Sequence, residues 1–479
     1  MKTKLKKDFK IAFCCEPVET RLGMASVIAM LTTNGFTNCD VFFGDSGTLE
    51  QDVINYNPDV LAYGLYTNEA VIAIDRLTKI KKEIDPFVVI GGMHATFYPD
   101  TVEEECVDAT CIGEGEYAIL ELCEKLRQGE DCSSIASLWV KTNGTVVKNQ
   151  MRPFISNLDD LPFPNREIFY RKSEELRNTP LKHFFSSRGC PYPCSFCFAE
   201  QYSAMNNGKD FCRFHSPEYL IKQIKEIKDN YPLETIKFFD STFTLNYSHV
   251  KAFLPRFKDE IGIPYLICSR FDRITDEIAK LLKDTGCDRL GIGLESGDES
   301  MRNDVLKKRL KDEDIYKGAA ILNKYGLRVE TTNMIGLPGE TLKQAFKTIK
   351  INQDIKVRFA QFCVFIPEPK TELANYCIKN GYLDKGYNFK NMPRSYHSGD
   401  SPLKQKDIKR LCNLHMFADF AIHYPFLNPL IKLLILLPNN NIYRFIYQVP
   451  YLIRAIRYKD DTFFKLIRRY WFRAVKQSY

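Results

Sequence analysis

Ser187-Arg188-Gly189-Cys190-Pro191-Tyr192-Pro193-Cys194-Ser195-Phe196-Cys197 puts three thiols within eight residues, just behind an apolar run. Closely spaced cysteines after a strand can each hold one iron of a cubane cluster, and thiolate is the soft donor that such a cluster needs. A cubane wants one more ligand, yet the next cysteine, Cys212, stands fifteen residues further on. The remaining iron is left open, and an open iron lets a small molecule bind through its amine and carboxylate. Zinc is the competing reading, with three sulfurs and a distant fourth ligand. Structural zinc usually comes from paired Cys-x-x-Cys or Cys/His knuckles, however, and this is a single triplet.

Outward from that stretch, residues 181–375 alternate strand and helix patterns. Strands are predicted at His183–Arg188, Thr235–Phe239, Pro264–Ser269, Arg289–Leu294, Val329–Gly336 and Arg358–Ile366, with helical spacing at Pro217–Lys228, Ile274–Asp284 and Leu342–Asn352. Six parallel strands with crossover helices predict a partial (β/α)6 TIM-type barrel whose chemistry sits at the strand carboxyl ends. The triplet follows the first of those strands.

Cys190-xxx-Cys194-x-Phe196-Cys197 resembles the signature of the radical S-adenosylmethionine superfamily, including the aromatic before the third cysteine. The resemblance implies a [4Fe–4S] cluster on Cys190, Cys194 and Cys197, with S-adenosyl-L-methionine on the open iron. It also implies cofactor contacts at Phe196 and along the later strand ends. Asp240 would lie near the methionine amine, and Arg270 would reach the ribose or carboxylate. Glu295 and Ser296 would meet polar groups, and Gly336 and Gly339 would form the turn that supports the adenine. Taken singly, Asp240 reads as a helix cap and Gly-Leu-Pro-Gly-Glu as a turn into a capped helix. Their order along one barrel is what joins them. The implied chemistry is reductive cleavage to methionine and a 5′-deoxyadenosyl radical, fed by a flavodoxin- or ferredoxin-type electron donor. The catalytic side chain that handles the substrate is not legible.

Ahead of the barrel, strand candidates at Ile11–Cys15, Asp40–Phe43, Val60–Leu65, Phe87–Ile90 and Ala109–Ile112 alternate with helical patterns at Arg21–Thr33, Leu49–Tyr56, Glu69–Ile84, Val102–Cys106 and Glu116–Arg127. That alternation predicts an α/β, doubly wound, flavodoxin-like parallel sheet with its ligand edge at the strand carboxyl ends. Thr67, Gly91, Gly92, Gly113 and Gly115 fall on that edge, where glycine permits close backbone approach. Such a domain before such a barrel is similar to the cobalamin-binding subgroup of the superfamily. That subgroup includes carbon and phosphorus methylases and the anaerobic porphyrin-ring cyclase. The mutase-type Asp-x-His-x-x-Gly is absent, since Glu16-Pro17-Val18-Glu19-Thr20-Arg21-Leu22-Gly23 follows Cys15. The resemblance therefore implies cobalamin held without a histidine below the cobalt. His94, after Gly91-Gly92-Met93, reads as a hydrogen-bonding loop residue rather than a ligand.

Methyl transfer to an unactivated carbon or to phosphorus of a small-molecule or lipid-like substrate is the leading expectation. Cyclisation or oxidation without methyl transfer is the runner-up. A tRNA methylthiotransferase would want three N-terminal cysteines for a second cluster, and Cys14, Cys15, Cys39, Cys106 and Cys111 are poorly spaced for one. A non-enzymatic cobalamin or iron–sulfur sensor would leave the strand-end residues without a use.

The expected domains are 1–132, a hairpin and linker at 133–180, the barrel at 181–385, and a helical basic-aromatic region at 386–479. Asn143-Gly144 marks the hairpin and Leu158-Asp-Asp-Leu-Pro-Phe-Pro-Asn165 the linker. Net charge is +7, and residues 451–479 hold eight Lys/Arg against Asp460 and Asp461. With Phe463-Phe464-Lys-Leu-Ile-Arg-Arg-Tyr470-Trp471, that tail suggests peripheral membrane contact more than nucleic acid. His415 and His423 read as core or surface residues of one helix. Sixteen scattered cysteines, and no recognisable secretory leader, predict a cytoplasmic protein.

Overall fold

The computed structural model describes residues 8–16, 19–209, 211–393, 395 and 399–458, with side chains described as far as Pro450. The chain forms two compact units, one of Met1–Asn178 with Gln201–His215 and one of Thr179–Glu200 with Ser216–Tyr479.

In the first unit β1 (Ile11–Cys15), β2 (Cys39–Phe43), β3 (Val60–Gly64), β4 (Phe87–Gly91) and β5 (Ala109–Cys111) run parallel in the order β2-β1-β3-β4-β5. All five residues of β1 are buried. A strand covered on both faces has no reason to alternate, which is why it reads as an unbroken apolar run. Helices Leu22–Thr33, Leu49–Tyr56, Ala70–Lys81 and Glu116–Gln128 supply the covering layers. The strand order reverses beside β1 and opens a crevice at the carboxyl ends. The helix expected over Val102–Cys106 is instead a short helix, Met93–Phe97, and a 3-10 turn, Pro99–Glu103. Pro99 fixes its own φ and starts the turn, but the span is too short to wind further.

β6 (Leu138–Thr142) and β7 (Thr145–Lys148) add antiparallel to β5, widening the sheet to seven strands. Asn143 and Gly144 have φ of 50° and 77°, the paired positive values that a type I′ hairpin turn demands. Gln201–His215, expected within the barrel domain, packs in the first unit. Tyr202 meets Phe97 and Phe154 edge-on at 6.2 and 5.0 Å. Arg213 pairs with Glu114 at 2.8 Å and donates to the Ile155 carbonyl at 2.7 Å.

The second unit holds six parallel strands in chain order: Leu181–Phe184, Thr235–Phe238, Tyr265–Ser269, Cys287–Glu295, Arg328–Ile335 and Phe359–Val364. Helices Pro217–Asn230, Tyr247–Glu260, Asp276–Asp284, Asp312–Lys324 and Leu342–Asp354 connect them. The first strand stops at Phe184, earlier than its apolar pattern suggests, and two residues on the Ser186 amide bonds to Asp240 instead of to a neighbouring strand. Helix Ile408–His423 closes over Leu342–Asp354 and the last strand, so this helix belongs to the unit's core. His415 is buried there, 3.0 Å from the Phe362 carbonyl, and His423 lies 3.5 Å from Asp419. Among the described residues no helix is long and apolar enough to cross a membrane. The aromatic-basic stretch at Phe463–Trp471 lies outside the described residues.

Candidate active site

The carboxyl ends of the second unit's strands surround a cavity of about 550 Å³. Cys190 and Cys194 line it, as do Asp240, Arg270 and Glu295, together with a residue that the sequence did not single out, Lys308. Cys197 does not line it and is exposed. Among the described residues no three Cys, His, Asp or Glu side chains already converge in ligating geometry. Metal binding commonly completes such a site, since ligands gather as they lose their protons. What the structure supplies is an anchored loop carrying three thiols. Burial pushes the Cys194 thiol up to about 11, against the pull of the Lys308 and Arg270 cations.

The loop is held at every step. At its entry Asp240, wholly buried, accepts from the Ser186 amide at 3.0 Å, from the Ser186 hydroxyl at 2.9 Å and from the Ser187 hydroxyl. Burial raises the pKa of this carboxyl, and the serine donors pull it back. Asp240 is thus the hinge pin of the cysteine loop. In the middle, Tyr192 lies under the Arg270 guanidinium, 3.7 Å from ring centre to cation. Ser195, between the second and third cysteines, donates from its amide to the Leu306 carbonyl at 3.0 Å and from its hydroxyl to the Val305 carbonyl at 2.7 Å. Its own carbonyl accepts from the Leu373 amide at 2.8 Å. Phe196 points away from the cavity into an apolar cluster with Leu306, Leu337, Phe365 and Leu373.

Arg270 is engaged elsewhere as well. It bonds to Asp272 at 2.9 and 3.1 Å and donates to the carbonyls of Lys308 and Arg309 at 3.0 and 3.2 Å. Those contacts fix a turn in which Lys307 and Arg309 both have positive φ, 51° and 52°. Strain of this kind persists only where surrounding bonds impose it. The outcome is that the Lys308 ammonium is turned into the cavity, 3.2 Å from the Glu295 carboxylate, with both side chains largely buried. Glu295 itself has φ 65° at a break in the strand register. A Cβ on Gly293 would sit 2.2 Å from the Glu295 carboxylate and 2.9 Å from the Lys308 ammonium, so glycine there leaves room for the pair.

Ser296 is buried outside the cavity, accepting from the Asp298 amide at 3.2 Å. Gly336 and Gly339 have φ of 80° and 76°. They frame a turn closed by Glu340, which accepts from the Gly336 and Leu337 amides at 2.7 and 3.1 Å. Desolvation lifts the Glu340 carboxyl to about 8. The sequence missed Lys308 because it lies in a turn, with neither strand register nor motif spacing to mark it. Its one signal was charge beside Leu306, a buried position.

In the first unit the ends of β1 and β3 carry ion pairs, Arg76–Glu16 at 3.2 Å and Arg21–Glu69 at 2.5 Å, whereas the ends of β4 and β5 carry glycines. Gly92, with φ 91° and ψ −166°, could not carry a side chain, because a Cβ would meet the Leu65 carbonyl oxygen at 2.9 Å. Gly113 has φ 81°. Thr96 ties these turns together, donating to the Gly92 carbonyl at 2.9 Å and accepting from the Gly113 amide at 3.1 Å. Gly91 precedes this pair, Gly115 opens the helix after β5, and the buried Thr67 starts the turn after β3. Beside Thr67, Tyr66 is half exposed and lies 4.2 Å from the Arg21 guanidinium. A shelf of glycine backbone at two adjacent strand ends, with the Met151 side chain against Gly113, fits close approach by a flat macrocycle such as a corrin. His94 is fully buried, 3.1 Å from the Thr101 hydroxyl and stacked on Tyr98, and so is not presented to that shelf.

Comparison with known proteins agrees with this division. Residues 184–350 match the Radical SAM superfamily and residues 11–123 match the B12 binding domain. An uncharacterized methyltransferase of Pyrococcus horikoshii is 31% identical over 349 residues, covering 72% of this chain and 74% of the relative. The cytidylyl-2-hydroxyethylphosphonate methyltransferase of Streptomyces wedmorensis is 22% identical over 400 residues, 73% of this chain and 74% of that one. The anaerobic magnesium-protoporphyrin IX monomethyl ester cyclase of Rubrivivax gelatinosus is 25% identical over 372 residues, 73% of this chain and 65% of that one. Among solved structures, the cobalamin-dependent radical enzyme OxsB with aqua-cobalamin and S-adenosylmethionine bound superposes with a TM-score of 0.68 at 15% identity, over 98% of this chain and 76% of that one. The methyltransferase TsrM from Kitasatospora setae, with cobalamin and a [4Fe–4S] cluster bound, gives 0.62 at 15% identity over 78% of each chain.

The chain belongs to the radical S-adenosylmethionine superfamily, in the branch that carries a B12-binding domain, and is an enzyme of that class. Its cofactors are accordingly a [4Fe–4S] cluster, S-adenosyl-L-methionine and cobalamin.

Proposed function

We propose that this enzyme is a methyltransferase acting on an unactivated carbon, or on phosphorus, of a small molecule. The observation that carries the reading is the Glu295–Lys308 pair facing the cluster-loop thiols across one cavity. When bound, the cluster and S-adenosylmethionine supply a 5′-deoxyadenosyl radical, and the corrinoid supplies a transferable methyl group. The chain's own residues do the rest. Cys190, Cys194 and Cys197 would hold the cluster. Lys308 and Glu295 offer opposite charges to the carboxylate and to the amine or ribose of a zwitterionic nucleotide, in a site where water is largely excluded and such contacts are strong. Asp240 and Arg270 position the cysteine loop and Lys308 rather than touching the cofactor. The Gly336–Gly339 turn, its amides held by Glu340 and Gln405, would support the adenine by its fixed shape. In the first unit Thr67, Gly91, Gly92, Gly113 and Gly115 would seat the corrinoid without a histidine ligand.

Deeper in the cavity Arg289 and Glu330 form an ion pair at 3.4 Å, and the Lys237 ammonium lies over Phe239 at 4.2 Å. A substrate reaching that depth would meet paired charges rather than a greasy wall. The electron donor would be a flavodoxin- or ferredoxin-type protein. Methyl transfer is preferred to the alternatives because the relative at 31% identity is a methyltransferase by name. Similarity to the Rubrivivax cyclase keeps cyclisation or oxidation as the second reading. Against a methylthiotransferase, Cys14 and Cys15 share β1, Cys39 and Cys111 lie on β2 and β5, Cys106 lies ahead of β5, and all five are buried.

The test is anaerobic reconstitution with iron, sulfide and cobalamin, followed by incubation with S-adenosylmethionine, reductant and an extract of small molecules. The expected products are 5′-deoxyadenosine and S-adenosylhomocysteine, formed together. 5′-Deoxyadenosine alone would move the assignment to the cyclase or oxidoreductase reading. Neither product, from protein with full cluster and corrinoid content, would reject it.

A further inference from the structure

Two helices near the end of the described chain are apolar on the side turned to solvent as well as on the side turned to the core. In Asn428–Leu434 and the turn after it, Ile431 and Ile435 are buried in the barrel unit's core. Leu430, Leu433 and Leu436 are exposed. At about 100° per residue these three fall on the opposite arc from the buried pair. Asn441–Tyr458 repeats the arrangement. Tyr443 is buried, Ile446 and Tyr447 pack inward, and Ile442 and Phe445 are 69% and 64% exposed. Phe426, just ahead of the first helix, is 76% exposed. Scattered exposed apolar residues are ordinary, but seven large ones within twenty residues, Leu437 among them, are not.

Charge says what covers them. From Tyr424 to Lys459 the chain carries Lys432, Arg444, Arg454, Arg457 and Lys459 and not one Asp or Glu. A second copy packed symmetrically on this face would bring like charges together. The chain's own residues 460–479 hold Lys465, Arg468, Arg469, Arg473 and Lys476 against two aspartates, so they too would be repelled. Apolar and aromatic side chains interleaved with cations, on helices that cannot span a bilayer, have the chemistry of an interfacial element. We propose that the face formed by residues 426–446 docks on an anionic lipid bilayer. Phe426, Leu433, Ile442 and Phe445 would enter the boundary between headgroups and chains while the arginines and lysines meet phosphate.

The test uses the full chain, loaded with its cluster, and vesicles of phosphatidylcholine with or without phosphatidylglycerol. The wild type is expected to float with the phosphatidylglycerol vesicles, and added salt should weaken binding without abolishing it. Replacing Phe426→Ser, Leu433→Ser, Ile442→Ser and Phe445→Ser together should cut the partition coefficient by on the order of a hundredfold. All four side chains are exposed, so iron content and the circular-dichroism melt should be unchanged. A separate Phe445→Trp variant should show quenching by brominated lipid, which gives a readout even if the fourfold variant fails to fold. Two results would overturn the proposal. One is wild type that stays in solution beside phosphatidylglycerol vesicles. The other is wild type that is dimeric without lipid and becomes monomeric on the fourfold substitution, which would make this face a contact between copies.

Discussion

The strand ends of the two units solve different problems. In the barrel unit they are crowded with ionised groups, and nearly every one is tied to another: Asp240 to two serines, Arg270 to Asp272 and two carbonyls, Lys308 to Glu295. In the first unit the ends of β1 and β3 also hold tied charges, Glu16 with Arg76 and Glu69 with Arg21, but at the ends of β4 and β5 the edge is mostly backbone, with Gly92 and Gly113 joined through Thr96. A small, charged, flexible ligand needs donors fixed in advance, because each buried charge left unmatched is costly. A large, flat, rigid ligand needs mainly room and a smooth floor. The same α/β logic thus yields a grip in one place and a shelf in the other.

The sharpest way to break that contrast is at the cysteines. Cys190→Ser, Cys194→Ser or Cys197→Ser should lower the iron content of reconstituted protein and take 5′-deoxyadenosine formation to background, with corrinoid absorbance retained. Loss of both cofactors together would mean that the two sites are not separable. Next in size is Gly92→Ala. It forces a side chain into a glycine-only conformation against the Leu65 carbonyl and should cost about 1–3 kcal/mol of stability. Corrinoid binding should drop while iron content holds, as visible spectra and a thermal melt would report.

Asp240→Asn should come third. It weakens several charge-assisted hydrogen bonds at the loop entry, a loss of about 2 kcal/mol. Hydrogen exchange across residues 186–198 should speed up, with the rest of the barrel unchanged. Lys308→Met should raise the dissociation constant for S-adenosylmethionine about tenfold, and Lys308→Arg should restore part of it. Equilibrium dialysis against decarboxylated S-adenosylmethionine would show whether Lys308 meets the carboxylate, since that analogue should be indifferent to the substitution.

The smallest effect is on pH dependence. Glu340 titrates at about 8 in the folded chain against an ordinary value of 4.5, so the native state keeps a proton that the unfolded state has lost. Its contribution is complete below 4.5 and disappears as pH rises through 8. Urea midpoints should therefore correspond to about 1 kcal/mol less stability at pH 8 than at pH 7, and Glu340→Gln should flatten that slope.

Most strands of both sheets were legible to within a few residues, because buried parallel strands leave continuous apolar runs and crossover helices leave a regular period, but the first barrel strand, expected at His183–Arg188, is Leu181–Phe184. Gln201–His215 was not legible as part of the first unit. Its attachment rests on Tyr202 among Phe97, Phe154 and Phe211 and on Arg213 against Glu114, and contacts so distant in sequence leave no periodic mark. At the site, motif order picked out Asp240 and Arg270 as residues of the barrel mouth, but residue type could not distinguish a cofactor contact from a brace. Hydrogen-bond partners show what each already holds, Asp240 the serines at the loop entry and Arg270 the carbonyls of Lys308 and Arg309. Lys308 was invisible for the converse reason: its position depends on Arg270 holding the carbonyls of Lys308 and Arg309 in place, a tertiary effect with no local signature.

Ser195 makes the three thiols and the Lys308 ammonium one mechanical unit. Its two bonds couple the cysteine loop to the very segment that ends in Lys308, so a shift of either is passed to the other.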